Sequence, residues 1–364
     1  MNSTIWQTKG YIVLAAAMAA LGGCDQPSAP TKSVPLPQAT TPPQKLSATG
    51  LWSDPSARTL AVDVLTYSPQ YPLWTDGAAK QRWIALPAGS AIDARDIDLW
   101  QFPIGTRLWK EFAFDRPVET RFMLRTDAGW QFATYVWNQD GTDAELAPER
   151  GLPGVVPTRD GARHDIPGLV DCRLCHEGGR SPVLGFSALQ LSPDRDPLAP
   201  HAKPKAAGDV DLPALLARGL LAHVPERWQT SAPRIAARTP HERAAVGYLF
   251  GNCASCHNAD GPLQRLGLRF DHPLAASTAP ALTTALDVAS HFTRGDATHR
   301  LVTGDPEHSV IVRRLRATDP LTQMPPFGRH VADAAAIALF EHWLGSELPS
   351  LPVATTQTTQ PRTH

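Results

Sequence analysis

The sequence predicts an α+β multidomain protein, in which a mainly antiparallel, sandwich-like β domain precedes a mostly α-helical domain. Two observations support this prediction. Residues 50–165 contain short, partly alternating apolar segments separated by Pro, Gly and Asp turn signals. Residues 239–348 contain capped segments with helical spacing of their apolar residues. The length of 364 residues is sufficient for two ordinary domains, and 35 prolines argue against a chain that is helical throughout.

The first 23 residues have the features of an export signal. Lys9 precedes an apolar run at residues 11–21 that is too short to span a bilayer comfortably. The run ends in Leu21-Gly22-Gly23-Cys24, which is similar to a bacterial lipobox, so Cys24 is the predicted lipidated N-terminus. An ordinary cleaved signal with an incidental cysteine is the alternative. We therefore expect an exported protein that is lipid-anchored to a bacterial membrane, with its folded part in the periplasm.

Two further segments are predicted to be disordered. Residues 24–49 are rich in Pro, Ser, Thr, Ala and Gln and are interpreted as a tether; residues 349–364 are interpreted as a tail.

The formal net charge is −1 and no basic run is present, so the sequence gives no indication of nucleic-acid binding.

The predicted β domain occupies residues 50–165. Five segments are predicted as strands: residues 59–65, 81–86, 108–114, 119–126 and 130–137. Seven of the ten tryptophans lie here, and they are interpreted as core residues, with a ligand-binding aromatic platform as the alternative. Met123 alternates with apolar neighbours and is likewise assigned to the core.

Residues 166–238 are interpreted as a connecting region with one short helix at residues 211–221. In residues 239–348, Thr239 is the predicted cap of a helix that has Pro240 at its first position, ends at Gly251 and leads into a cysteine motif. Asp333 is the predicted cap of a closing helix, and Asp305 of a helix between them.

Two copies of the pattern C-x-x-C-H carry the chemistry. Two thiols one helical turn apart can each form a thioether with a haem vinyl group, and the adjacent imidazole is then placed to bind the iron. Both copies therefore predict covalently attached c-type haem. The copies are Cys172-Arg-Leu-Cys175-His176 and Cys253-Ala-Ser-Cys256-His257.

Zinc is the alternative for these cysteines. It would require the four motif cysteines to converge and would leave both following histidines unexplained. The chain has five cysteines, and with four on haem and Cys24 on lipid, none remains for a disulfide or a catalytic thiol.

The iron above His257 needs a ligand on its opposite face to be six-coordinate. Met324, in Gln-Met-Pro-Pro, is the predicted ligand, because a thioether beside two stiffening prolines suits His/Met coordination. For the haem on His176 the distal ligand stays open: His201 is preferred for its Pro-bounded loop, His164 and His223 are alternatives, and a vacant position is a fourth.

The chain from about residue 50 to 348 resembles an exported di-haem c-type cytochrome family of bacteria. The resemblance rests on both haem motifs and on five strings: residues 71–77 (YPLWTDG), 102–106 (FPIGT), 135–138 (YVWN), 304–306 (GDP) and 324–326 (MPP). It implies a β domain joined to a class I-type cytochrome c domain, two covalently bound haem c groups, and electron transfer as the activity.

Three functions follow as hypotheses. The first is an electron-transfer lipoprotein that serves unidentified redox partner proteins. The second is a di-haem peroxidase or oxidase whose first haem is open to substrate, with Glu177 as a conceivable acid/base group. The third is a haem-bearing ligand-binding or sensing module.

Overall fold

The computed structural model describes residues 41–158 and 161–351. The predicted signal segment, Cys24, most of the predicted tether and the tail from residue 352 lie outside the described residues. Those that are described belong to one compact unit. None of their helices is both long and apolar enough to cross a membrane.

Fourteen strands are present in the described ranges. In chain order they are β1 (Trp52–Asp54), β2 (Thr59–Leu60), β3 (Val64–Thr66), β4 (Ala79–Ala85), β5 (Ile92–Asp93), β6 (Arg107–Ala113), β7 (Pro117–Thr126), β8 (Gly129–Trp137), β9 (Ala144–Leu146), β10 (Leu152–Pro157), β11 (Arg163–Ile166), β12 (Leu221–Ala222), β13 (Ala289–Arg294) and β14 (Ala297–His299).

One six-stranded antiparallel sheet dominates the N-terminal half, in the order β3-β4-β6-β7-β8-β9. Four of the five predicted segments coincide with β4, β6, β7 and β8; the first is divided between β2 and β3. The prediction of an antiparallel β-rich N-terminal region is confirmed. The remaining strands of the described residues form two-stranded pairs, so no second large sheet completes a sandwich there.

The outer face of the sheet is covered by the segment that precedes it. Leu46 lies in a 3₁₀ turn, Leu46–Thr49, and is fully buried in a cluster with Trp83, Trp109 and Tyr135. The Trp109 Nε1–H donates to Thr49 Oγ1 at 2.9 Å. The predicted tether therefore extends too far: residues 43–49 contact the sheet, because Leu46 supplies the apolar anchor that a tether lacks.

The inner face of the sheet meets the helices. These are α1 (Leu169–His176), α2 (Leu212–Ala217), α3 (Glu226–Thr230), α4 (Pro240–Cys253), α5 (Pro280–Ala285), α6 (Val310–Arg316) and α7 (Ala334–His342). One continuous core joins the sheet to α2, α4 and α7; it includes Ile84 and Met123 from the sheet, so Met123 is a core residue as predicted. The boundaries predicted near residues 165 and 238 do not separate independent cores.

Two predicted helix caps are present: Thr239 accepts from the Glu242 N–H at 3.1 Å and Asp333 from the Ala336 N–H at 3.1 Å. The helix predicted at residues 211–221 is shorter, and its cap is Asp211, which accepts from the Ala214 N–H at 2.9 Å. The prediction for Asp305 was wrong, since the helix there begins at Val310. Asp305 instead binds the N–H and the imidazole of His308 in the preceding turn.

Candidate functional site

The two C-x-x-C-H motifs lie against each other. The first lies within α1, and the second begins at Cys253, the last residue of α4, and continues through the following turn. The Gly178 carbonyl oxygen, just past the first motif, accepts from Asn258 Nδ2, just past the second, at 2.9 Å. A Cβ atom on Gly178 would collide with the Ser255 carbonyl oxygen, so the two segments contact each other through their backbones. Segments far apart in sequence thus form a single site.

The pKa values of the motif thiols reflect their burial and the proximity of the two motifs. Burial, followed by the neighbouring Cys256, raises the pKa of Cys175 to about 11. Burial also raises the pKa of Cys253 to about 12. The four described cysteines are free of disulfides. Among the described residues, no group of three or more His, Cys, Asp or Glu side chains is arranged to hold a metal ion. The zinc alternative needs the four thiols around one point, and they are not gathered in that way.

His176 is oriented by a backbone carbonyl. Its Nδ1 lies 2.6 Å from the Pro182 carbonyl oxygen, to which it donates, and its ring centroid lies 5.2 Å from that of Phe132 in β8. Desolvation lowers the pKa of His176 to about 4, with Lys110 and Arg121 acting in the same direction. The imidazole is therefore neutral near pH 7, and Nε2 is the nitrogen available to a metal.

His257 is buried and also neutral. Burial lowers its pKa to about 4, and the positive charges of Arg314 and Arg300 contribute to the shift. Its Nδ1 is buried without a hydrogen-bond partner in the described residues. The ring packs edge-to-face against Phe270, with centroids 5.5 Å apart. A neutral, desolvated imidazole after each thiol pair fits the donor set of covalently attached haem.

Met324 is hydrogen-bonded through its backbone to two arginines whose charges act on the second motif. Its N–H donates to the Arg314 carbonyl oxygen at 3.0 Å, and its own carbonyl oxygen accepts from Arg329 Nη2 at 3.1 Å. Arg314 also acts on His257, and the positive charge of the buried Arg329 opposes the rise in the pKa of Cys253. The half-buried Met324 is thus fixed by the two arginines that border the second motif.

The histidines considered for the first iron are engaged elsewhere. His201 Nε2 lies 2.8 Å from Asp333 Oδ1, and its ring packs on Trp74 with centroids 4.5 Å apart. His223 is exposed, with Nδ1 3.3 Å from Asp93. His164 has carboxylates on both ring nitrogens. Ligation by His201 therefore stays a prediction, and it would require the imidazole to use Nδ1 or to release Asp333.

Sequence reasoning missed a buried bridge centred on His164. Its Nδ1 lies 3.1 Å from Asp76 and its Nε2 3.1 Å from Glu119, and all three side chains are at most 1% exposed. Burial lowers the pKa of His164, but hydrogen bonds to the two carboxylates outweigh burial and raise it. Glu119 in turn binds Arg121 at 2.7 Å. A lone histidine within a short strand gives no sequence signal for such a bridge.

Asp76 extends the bridge to the segment that follows Met324. Its other oxygen, Oδ1, accepts from the backbone N–H groups of His330 and Val331 at 2.6 and 2.9 Å, in the segment that follows Met324. The neighbouring Trp74 N–H donates to Asn252 Oδ1 in α4 at 2.7 Å. Residues 71–77 therefore dock the sheet onto α4 and the methionine segment.

Glu177, the candidate acid/base group of the peroxidase hypothesis, is exposed and lies 3.7 Å from Arg173 on α1.

Sequence reasoning also missed His272. Its side chain is buried, its Nδ1 has no hydrogen-bond partner in the described residues, and burial lowers its pKa to about 4.

Comparison with protein-family models, curated proteins and solved structures found no match to this chain.

Proposed function

We propose that this chain is a di-haem c-type cytochrome lipoprotein that transfers electrons outside the cytoplasm. The observation that carries the proposal is the contact between two C-x-x-C-H motifs, each ending in a neutral, desolvated histidine. A covalently attached haem would supply the one-electron chemistry at each motif. Two such groups held at one interface can exchange electrons within a single molecule.

The chain's own residues have separable roles in this proposal. Cys172 and Cys175 would anchor one group and Cys253 and Cys256 the other, and His176 and His257 would supply nitrogen ligands. The Pro182 carbonyl oxygen holds the proton of His176 on Nδ1, which leaves Nε2 for the iron. Met324 would supply a further ligand to the second group, and the helical part would be a class I-type cytochrome c domain.

Covalent haem content tests the proposal. The exported protein, purified from a host that matures c-type cytochromes, should carry two haems by intact mass and retain haem staining after denaturation. Cys172→Ala with Cys175→Ala should remove one haem, and Cys253→Ala with Cys256→Ala the other. A native protein without covalent haem would refute the proposal. Retention of lipid on the native protein but not on Cys24→Ala tests the anchor separately.

A second candidate is a peroxidase or oxidase that works at the first haem. It is favoured by the engagement of His164 and His201 with carboxylates, which leaves neither imidazole poised as a distal ligand. An open iron position would give a high-spin optical signal that changes on addition of hydrogen peroxide. Two low-spin haems that do not react with peroxide would exclude this candidate.

A further inference from the structure

A row of basic residues crosses the inner face of the sheet. Cross-strand register pairs Arg82 with Lys110, Lys110 with Arg121, and Arg121 with Thr134. Residues paired directly across strands share a face, so these four side chains lie side by side. We call Arg82, Lys110 and Arg121, together with the adjacent Lys80 on β4, the basic row.

The basic row has too few anions for its charge. Lys80, Lys110 and Arg121 surround the ring of Phe112, at 5.7, 4.8 and 4.2 Å from its centroid. Within the described residues, Arg121 is the one member with a carboxylate at salt-bridge distance, namely Glu119. Arg82 is only 9% exposed and has no such partner. Buried arginine and lysine side chains are ordinarily paired.

The nearest other acids are already committed. Asp76 binds His164, and Asp333 binds His201. Burial, with Arg82 and Arg121 adding repulsion, lowers the pKa of Lys80 to about 7. Burial and the same kind of repulsion lower the pKa of Lys110 well below its usual range. A bound anion would relieve this repulsion.

The position of the basic row indicates which anion it binds. At one end, Thr134 Oγ1 lies 3.9 Å from Cys172 Sγ of the first motif. Arg82 lies three strands away, a span of roughly 14 Å at the usual strand spacing. At that far end, Lys80 and Arg82 line a cavity of about 230 Å³, and its remaining charged or titratable lining residues, His201 and Lys203, are basic too.

We propose that the basic row binds the two carboxylate groups of the haem attached to Cys172 and Cys175. A tetrapyrrole carries its vinyl groups on one edge and its carboxylates on the opposite edge. Attachment beside Thr134 and carboxylate binding near Lys110, Lys80 and Arg82 would match that polarity along the sheet. The inference rests on the proposed function, because it requires haem at the first motif.

The row would also set the reduction equilibrium of this haem. Reduction of the iron adds a negative charge, and nearby cations favour it. Removal of a cation should therefore make reduction of the first haem less favourable. The second haem, ligated through His257 and Met324 on another part of the chain, should respond less.

Redox titration of the full-length holoprotein tests the inference. Lys110→Met keeps an apolar side chain over Phe112 and removes the charge, and Arg82→Gln removes the charge at the far end. Each should lower the one-electron reduction constant of the first haem at least tenfold, which is about 59 mV. The exposed cations Lys45 and Arg218 provide the controls Lys45→Met and Arg218→Gln, which should leave the constant unchanged.

The outcomes are separable from those of the proposed function. A native chain without covalent haem overturns both. A native chain with two haems, combined with a folded Lys110→Met or Arg82→Gln protein of native reduction constants, overturns the basic-row inference alone. A shift confined to the second haem also overturns it. Citrate should leave the first haem's equilibrium unchanged; a saturable citrate effect that is lost in Arg82→Gln would assign the row to a free carboxylate instead.

Discussion

Gly178→Ala should weaken the contact between the two motifs. Gly178 has no left-handed backbone conformation, so alanine there introduces no backbone strain of its own. The new methyl group would collide with the Ser255 carbonyl oxygen and approach that of Leu174 to 3.1 Å. Because both neighbours are backbone atoms, neither can move aside by a change of rotamer.

The expected cost follows from the geometry. Overpacking of a well-packed site typically costs about 1–3 kcal/mol, since backbone segments must shift. The shift here would also strain the hydrogen bond from Asn258 Nδ2 to the Gly178 carbonyl oxygen. We therefore expect Gly178→Ala to lower the free energy of unfolding by about 2 kcal/mol, in line with the middle of that range.

Urea unfolding followed by far-ultraviolet circular dichroism measures this change. Gly345→Ala is the matched control: its Cβ would meet Pro306 at an ordinary 3.5 Å, so it should be neutral or slightly stabilising. Asn258→Ala combined with Gly178→Ala should be less than additive, because both act on one contact. If Gly178→Ala and Gly345→Ala are equally stable, the close approach of the two motifs is wrong.

Three further predictions concern individual side chains. Met324→Ala should change the optical spectrum of one haem and lower its reduction potential, because methionine ligation raises that potential, whereas the core variant Met123→Leu should change neither. His201→Ala should lower the free energy of unfolding by about 1.5 kcal/mol through loss of its bond to Asp333 and leave the first haem's spectrum unchanged; a spectral change would support ligation by His201. His164→Leu should cost about 3 kcal/mol near pH 6, because two buried carboxylates lose a charged partner. Since the folded pKa of His164 is raised, its contribution is complete below its ordinary pKa of about 6.5 and is lost as pH rises through the raised value, so unfolding free energies of native and His164→Leu proteins should converge at alkaline pH.

Local features were predictable because their causes are local. Thr239 and Asp333 cap helices through side-chain bonds to residues three positions later, and a short window of sequence contains both partners. The strand of residues 130–137 was predictable for a similar reason, since its alternation and the turn before it are adjacent in sequence. Asp305 shows the limit: its sequence context favours a cap, but it binds the His308 side chain instead.

Long-range features were not predictable from pattern alone. The contact between Gly178 and Ser255 depends on how α1 packs on β8 and how Tyr71 packs against Gly247 of α4. The basic row depends on the register of two strand pairs, and a slip of one residue would turn the cations to the outer face. The packing of Leu46 was missed because one apolar residue in a polar segment carries little signal.

The surroundings of the two motifs explain why a helical setting was predictable from sequence for only one of them. The second motif follows a long capped helix and is bordered by the methionine segment, and both lie in its own part of the chain. The first motif has an eight-residue helix, α1, and its support comes from the sheet: Thr134 contacts Cys172 and Phe132 contacts His176. The sheet therefore takes the place that helices take around the second motif. If the sheet were separated from the helices, the first motif would keep its cysteines but lose its contacts with Thr134 and Phe132.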